Sequence, residues 1–158
     1  MHNEFPLCNL QIEFYTVDSV MMNVNEAFDP SQYSPSLDRI KYSFDFFKKE
    51  DEDRYMLPLW IAINGEEAEA GPYPYSLFIS VTAFFRHDPS INNEATVFGS
   101  KEIEANCFMA TYSLSRTILD DLTSKSKNGR YLLPLIDVAS VIRRKDEERA
   151  GVPDQEPE

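Results

Sequence analysis

The chain has 158 residues, 42% of them apolar, which is enough for one domain with its own core and too short for two comfortable ones. Its 27 acidic side chains outnumber 15 basic ones, giving a formal charge of −12. That sign excludes nucleic acid as the expected partner, because Lys and Arg supply most of the affinity for a phosphate backbone. Cys8 and Cys107 are too few for a disulfide framework and read as two buried or half-buried thiols. No stretch approaches the roughly 18 apolar residues of a membrane span, so no membrane insertion is expected. The opening MHNEFPLCNLQIEF lacks a basic region ahead of a long apolar run, and no Asn-x-Ser/Thr sequon occurs. A soluble, reducing, cytoplasmic setting fits best.

In chain order, Met1 to Pro6 is expected to fray. Residues Leu7 to Tyr15 alternate, with Leu10, Ile12 and Phe14 on one face and Gln11 and Glu13 on the other, the signature of a half-buried strand. Val17 to Val24 continues it past a bend at Asp18-Ser19. Glu26 to Leu37, with two prolines and several turn formers, reads as a crossing loop. Arg39 to Lys48 is the clearest strand, placing Ile40, Tyr42, Phe44 and Phe46 on one face. The charged run Lys48 to Arg54 makes an exposed turn. Tyr55 to Ile63 is apolar on both faces and is predicted to be a central strand, but Pro58 cannot donate to a ladder and needs a bulge or a locally open edge. Asn64-Gly65 then opens a long acidic hairpin loop to Pro74, and Tyr75 to Arg86 returns as a strand. His87 to Asn93 is a polar turn. Ala95 to Ile103 fits either a short strand or the lead-in to a helix.

From Phe108 to Thr123 the period becomes helical, with Thr111, Leu114, Ile118 and Leu122 sharing a face and Ser115 and Leu119 alongside. A polar loop ends at Asn128-Gly129, an apolar Tyr131 to Leu133 follows, and a second helix is predicted from about Pro134 to Arg149. Its basic end, Arg143, Arg144, Lys145 and Arg149, suits the helix dipole. The whole is α+β: a four-stranded antiparallel sheet with a long crossing loop, packed by a long helix and a C-terminal helix. Residues 1–150 form one domain and 151–158 a disordered acidic tail.

No enzyme signature occurs: no phosphate-binding Gly-rich loop, Cys-x-x-Cys, Gly-x-Ser-x-Gly or His-Glu-x-x-His. His2 and His87 stand outside any ligand pattern, so neither a metal nor another cofactor is implied. Asp120-Asp121 are helix neighbours that point apart and read as a solvated face. The informative excess is aromatic: 11 Phe, 8 Tyr and one Trp, gathered mostly into the strands. Tyr15, Phe47, Trp60, Phe78 and Phe84 occupy the face opposite the main alternation. Either a second layer or a partner subunit covers that face, or some of these rings line an exposed groove for extended apolar polypeptide.

This order of elements resembles the SecB-like protein-export chaperones. Ser115-Arg116 and Ile118 to Leu122 are similar to that family's Ala-Arg-Glu helix with its trailing apolar residues. Gly129 to Val138 (GRYLLPLIDV) looks like its Leu-x-Pro segment, and Ile12 to Asp18 like its first strand. Departures are also visible. Ala110 to Tyr112 stands where the family has Phe-Pro-Tyr, and Met22 and Ser80 stand near positions where acidic docking residues are expected; Asp18 matches. The resemblance implies a non-enzymatic, ATP-independent holdase assembled as a homotetrameric dimer of dimers. Its partners would be unfolded or precursor proteins, with the SecA motor or an antitoxin as further candidates. Client-binding residues would be Tyr15, Phe47, Trp60, Phe78, Phe84, Leu132 and Leu133, with Asp18 as a partner-docking residue.

Overall fold

A computed structural model describes residues 9–49, 53–65, 71–88 and 100–151. The expected frayed start, the centre of the acidic hairpin loop, most of the turn after His87 and the acidic tail lie outside them. The sheet contains β1 (Leu10–Val24), β2 (Ile40–Phe44), β3 (Phe47–Lys48), β4 (Arg54–Ile63) and β5 (Tyr75–His87), followed by α1 (Ser100–Thr123) and α2 (Val138–Arg149). All strand pairs are antiparallel, in the order β1-β5-β4-β2, with β3 continuing along the β2 edge of β4. Four strand positions and a crossing loop from one edge to the other match the sequence reading.

Two features depart from simple alternation, each for a local reason. The strand expected over Arg39 to Lys48 is interrupted at Asp45-Phe46, opposite Pro58. The Asp45 N–H reaches the Pro58 carbonyl at 3.2 Å, but Pro58 has no N–H to return, so the ladder stops and resumes at Phe47↔Met56. In β1 the pairing to β5 shifts between Ile12 and Phe14 and again between Val17 and Ser19. Each extra residue reverses which side chains face the helices. Ile12 therefore pairs with Phe85 on the helix side and Phe14 with Phe84 on the other, correcting the expectation that they share a face.

The core lies between one face of β4 and β5 and the long helix. Leu57, Leu59, Ile61 and Ile63 join Tyr75, Leu77, Ile79, Val81, Ala83 and Phe85 beneath Ile103, Cys107, Phe108, Tyr112 and Leu119. The helix begins at Ser100, well before the Phe108 at which its period is evident in the sequence. Its buried face includes Thr111, Ser115 and Thr123, small enough for close approach to the sheet. Their hydroxyls donate to the carbonyls of Cys107, Thr111 and Leu119 at 2.8, 3.0 and 2.8 Å. Thr123 Oγ1 also accepts the Tyr131 N–H at 2.8 Å, fixing where the chain turns back. α2 begins at Val138 rather than Pro134, capped by the Asp137 carboxylate on the Ala139 and Ser140 N–H groups. Residues 130–137 instead run without helix, held where the Tyr112 hydroxyl donates to the Pro134 carbonyl at 2.8 Å. α2 seats Val141 and Ile142 and pairs Arg149 with the buried Glu104 at 2.9 and 3.1 Å.

Asparagines, Asn25 and Asn64 buried and Asn128 half-buried, organise the loop end of the sheet. Asn25 Nδ2 donates to the Gly71 and Tyr73 carbonyls, and Asn128 Nδ2 to those of Asn25 and Pro74. Asn64, left-handed at φ 62°, donates to Asp38 Oδ1 at 2.9 Å and the Tyr75 carbonyl at 3.1 Å, and accepts the Arg39 N–H at 2.9 Å. Tyr33 donates to the other Asp38 oxygen at 2.7 Å. Burial, then the Asp38 carboxylate, push the Tyr33 and Tyr131 phenols above their ordinary range.

Because Asn64 fills a left-handed position and satisfies three groups, Asn64→Ala is predicted to cost about 2–4 kcal/mol in denaturant unfolding. Asn64→Gly should cost less, since it relieves the backbone strain; equal losses would remove the backbone part of this account. A second expectation concerns Cys107, whose thiol burial, reinforced by Glu104, pushes up to about 12 from 9.0. Above pH 9 the unfolded thiol loses its proton while the folded one keeps it, so stability falls as pH rises, by up to about 1.4 kcal/mol per pH unit from this group. Cys107→Ala should show a shallower decline between pH 9 and 10 than the parent chain. Parallel declines would rule the thiol out as a contributor.

Candidate functional site

The helices cover one sheet face. The other carries the even-numbered side chains of β4 and β5 and, through the bulges, Phe14, Thr16, Ser19 and Met21 of β1. Among the described residues nothing packs over it. Cross-strand register arranges the face in rows. Phe47, Met56, Phe84 and Phe14 form one, in which the Phe14 and Phe84 rings stack with centroids 4.2 Å apart. Next comes a polar row of Pro58, Thr82 and Thr16, then Ser43, Trp60, Ser80 and Ser19, then Lys41, Ala62, Phe78 and Met21. Trp60 and Phe78 stack at 6.3 Å, joining the last two rows. Phe14 is 53% and Met21 58% exposed, values at which large apolar side chains gain little from folding.

Asp18, the residue of the second bulge, lies on this face because its two oxygens accept hydrogen bonds from Thr16 at 2.7 Å and Thr82 at 2.6 Å. At one end of the face, Arg54 pairs with Glu13 at 3.3 Å and Arg86 sits opposite Arg54. Lys41 marks the other end.

Of the residues expected to contact clients, Phe47, Trp60, Phe78 and Phe84 come together here. Tyr15 does not. The first bulge turns it to the helix side opposite Ala83, where it remains exposed with Val17 and Val20 on the edge strand. Leu132 is exposed on the connecting segment, and Leu135 beside it is 85% exposed. Leu133 is corrected: it turns inward, is fully buried and serves the core, because alternate side chains of this segment face opposite ways. Phe14, Met21 and Met56 are additions. Strict alternation through Leu10, Ile12 and Phe14 concealed Phe14, and only the bulges bring Met21 into line.

Among the described residues no His, Cys, Asp and Glu side chains cluster to hold a metal ion, and no helix is long and apolar enough to cross a membrane. Asp120 pairs with Arg130 at 3.1 Å while Asp121 faces solvent, as expected for a helix surface.

No protein-family model and no curated protein matches the chain. Solved structures do. A SecB-like chaperone of Mycobacterium tuberculosis, in complex with a ChAD peptide from an antitoxin, aligns at 14% identity and a TM-score of 0.50 over 81% of this chain and 91% of its own. A protein of unknown function from Streptococcus agalactiae aligns at 11% identity and a TM-score of 0.45, over 80% and 97%. At such identity the likeness concerns architecture. The chain has a divergent SecB-like fold.

Proposed function

We propose that this protein is an ATP-independent holdase that keeps polypeptides unfolded and soluble by binding their extended apolar segments, for protein export or transport in the cytoplasm. The observation that supports it is the uncovered face carrying Phe14, Met21, Phe47, Trp60, Phe78 and Phe84. Exposed apolar surface on this scale marks a binding site more often than an accident of folding. Binding would be physical: client side chains leave water against rings and methionines, and the thioethers adapt to varied shapes. Each Å² of apolar surface buried contributes roughly 25 cal/mol before ordering costs. Tyr15, Leu132 and Leu135 extend the apolar surface beyond this face; the reading requires no catalytic group.

Assembly in this reading would begin at β1, which is paired only to β5 among the described residues and is exposed along most of its length. A second copy adding to that edge would start the dimer of dimers, since an unpaired edge is a template for another strand. The SecA motor is a further partner in this reading, through Asp18. A second reading, a dedicated chaperone of one antitoxin or an adaptor for one partner, draws on the antitoxin peptide bound by the Mycobacterium tuberculosis protein of this fold.

Substoichiometric protein without ATP should suppress aggregation of several unrelated denatured proteins. Protection of one cognate antitoxin alone would favour the dedicated role, and protection of no general client would sink the holdase reading. Phe84→Ser and Trp60→Ser should each weaken client binding by about 1–2 kcal/mol, a larger loss than either causes in thermal stability. Global unfolding of both variants would instead make these rings structural. Native mass spectrometry should give a tetramer, and a strict monomer at micromolar concentration would count against the assembly.

A further inference from the structure

We infer that Asn128 is a site of spontaneous deamidation, converted to aspartate or isoaspartate when the turn after α1 opens locally, while Asn64 is spared until the chain unfolds. The chain holds two Asn-Gly pairs, Asn64-Gly65 and Asn128-Gly129. An Asn is most reactive before glycine, which has no side chain to hinder attack by its own main-chain nitrogen. That nitrogen loses its proton to hydroxide and bonds to the Asn side-chain carbonyl carbon, and Nδ2 leaves as ammonia. Water then opens the five-membered imide at one of its two carbonyls, giving aspartate or isoaspartate. One amide and one water become one carboxylate and ammonium, with no oxidation or reduction.

Unfolded, the two pairs are chemically alike, so the fold separates them. Asn64 is 4% exposed, and its N–H donates to the Arg39 carbonyl at 2.9 Å while its amide bonds Arg39, Asp38 and Tyr75. These partners stand at the entries of β2 and β5, so freeing this amide means parting the sheet. Asn128 is half-buried and bonds through Nδ2 to the Asn25 and Pro74 carbonyls at 2.9 and 3.0 Å. Both carbonyls keep another donor when it leaves, the Phe28 N–H at 3.3 Å and the Asn25 N–H at 3.0 Å, so neither is stranded. The attacking Gly129 N–H is bonded only within its own turn, to the Ser126 carbonyl at 3.0 Å, among exposed Lys125, Lys127 and Arg130. Local opening costs less than global unfolding, and reaction from an open state follows its population. The product does not fit the closed turn. A carboxylate in place of the Asn128 amide has no proton to donate and faces two carbonyl oxygens. Isoaspartate also lengthens the main chain just before Gly129, which is left-handed at φ 81°. The modification thus unties the crossing loop and the β5 entry from the turn, and it does not reverse.

The full-length chain would be incubated at mildly alkaline pH with and without urea. Mass spectrometry of the two Asn-Gly peptides follows conversion, and an isoaspartyl methyltransferase reports isoaspartate. In urea the two sites should convert at similar rates, and any difference there corrects for sequence context. In the folded chain Asn128 should convert about tenfold faster than Asn64, or more. Equal corrected rates, faster conversion of Asn64, or no conversion of Asn128 while the urea sample is consumed overturns the proposal. Asn128→Asp, which installs the product directly, should lower the melting temperature by several degrees. An unchanged melting temperature overturns the loosening assigned to the modification.

Discussion

The pleat of β4 and β5 is the constraint on which the rest depends. Successive side chains of a strand must point to opposite faces; β4 is apolar at nearly every position, and β5 is apolar throughout its helix side up to Phe85 while its other side mixes Ser and Thr with Phe78 and Phe84. The described residues supply one helical layer, so among them one face becomes core and the other is left uncovered. Wholly buried Leu57, Ile61, Ile79 and Val81 alternate with Met56, Trp60, Phe78 and Thr82, which remain partly accessible. Stability and binding thus share the same two strands and divide by parity. A mutation's consequence should depend first on whether its position is odd or even.

Helix α1 supplies the layer, and its small hydroxyl-bearing residues determine how close that layer lies. Thr111 and Ser115 return their hydroxyls to their own helix, which permits burial without a partner on the sheet. At the loop end the polar groups are satisfied differently. Asn25, Asn64 and Asn128 each bond main-chain groups of distant segments, tying the crossing loop, the β5 entry and the turn after α1 to one another. Buried amides with no hydrogen bond would cost more than apolar residues there, so this corner tolerates little variation.

The repeating features were legible in the sequence. Two-residue alternation located β4 and β5, the apolar faces of β4 indicated its central place, and the helical period found the later part of α1. Pro58 even announced the broken ladder on β2. What escaped were single-residue geometric events. The bulge at Glu13 carries no glycine or proline to mark it, and it decides the faces of Phe14 and Tyr15, whereas the bulge at Asp18 falls where a bend at Asp18-Ser19 is expected. The Leu-Leu-Pro segment reads equally as helix start or extended chain until Tyr112 and Thr123 bind it. The inward turn of Leu133 follows from those anchors, and neither is adjacent in sequence. Sharing of Asp38 by Tyr33 and Asn64 likewise depends on contacts across the sheet end.

The placement of β1 has a kinetic consequence. It is first in sequence, yet among the described residues it pairs only with β5, the last strand there, so each of those ladder bonds closes a long loop. The β4–β5 pair closes over a much shorter connection, and α1 follows directly onto it. Loop-closure entropy therefore favours a nucleus of β4, β5 and α1, with β1 added late. In pulsed hydrogen exchange, β1 amides should gain protection after those of β4; simultaneous protection would refute that order. The last strand to join would then be the one whose outer edge and apolar side chains remain available, which joins the timing of folding to the exposure of the strand in the finished molecule.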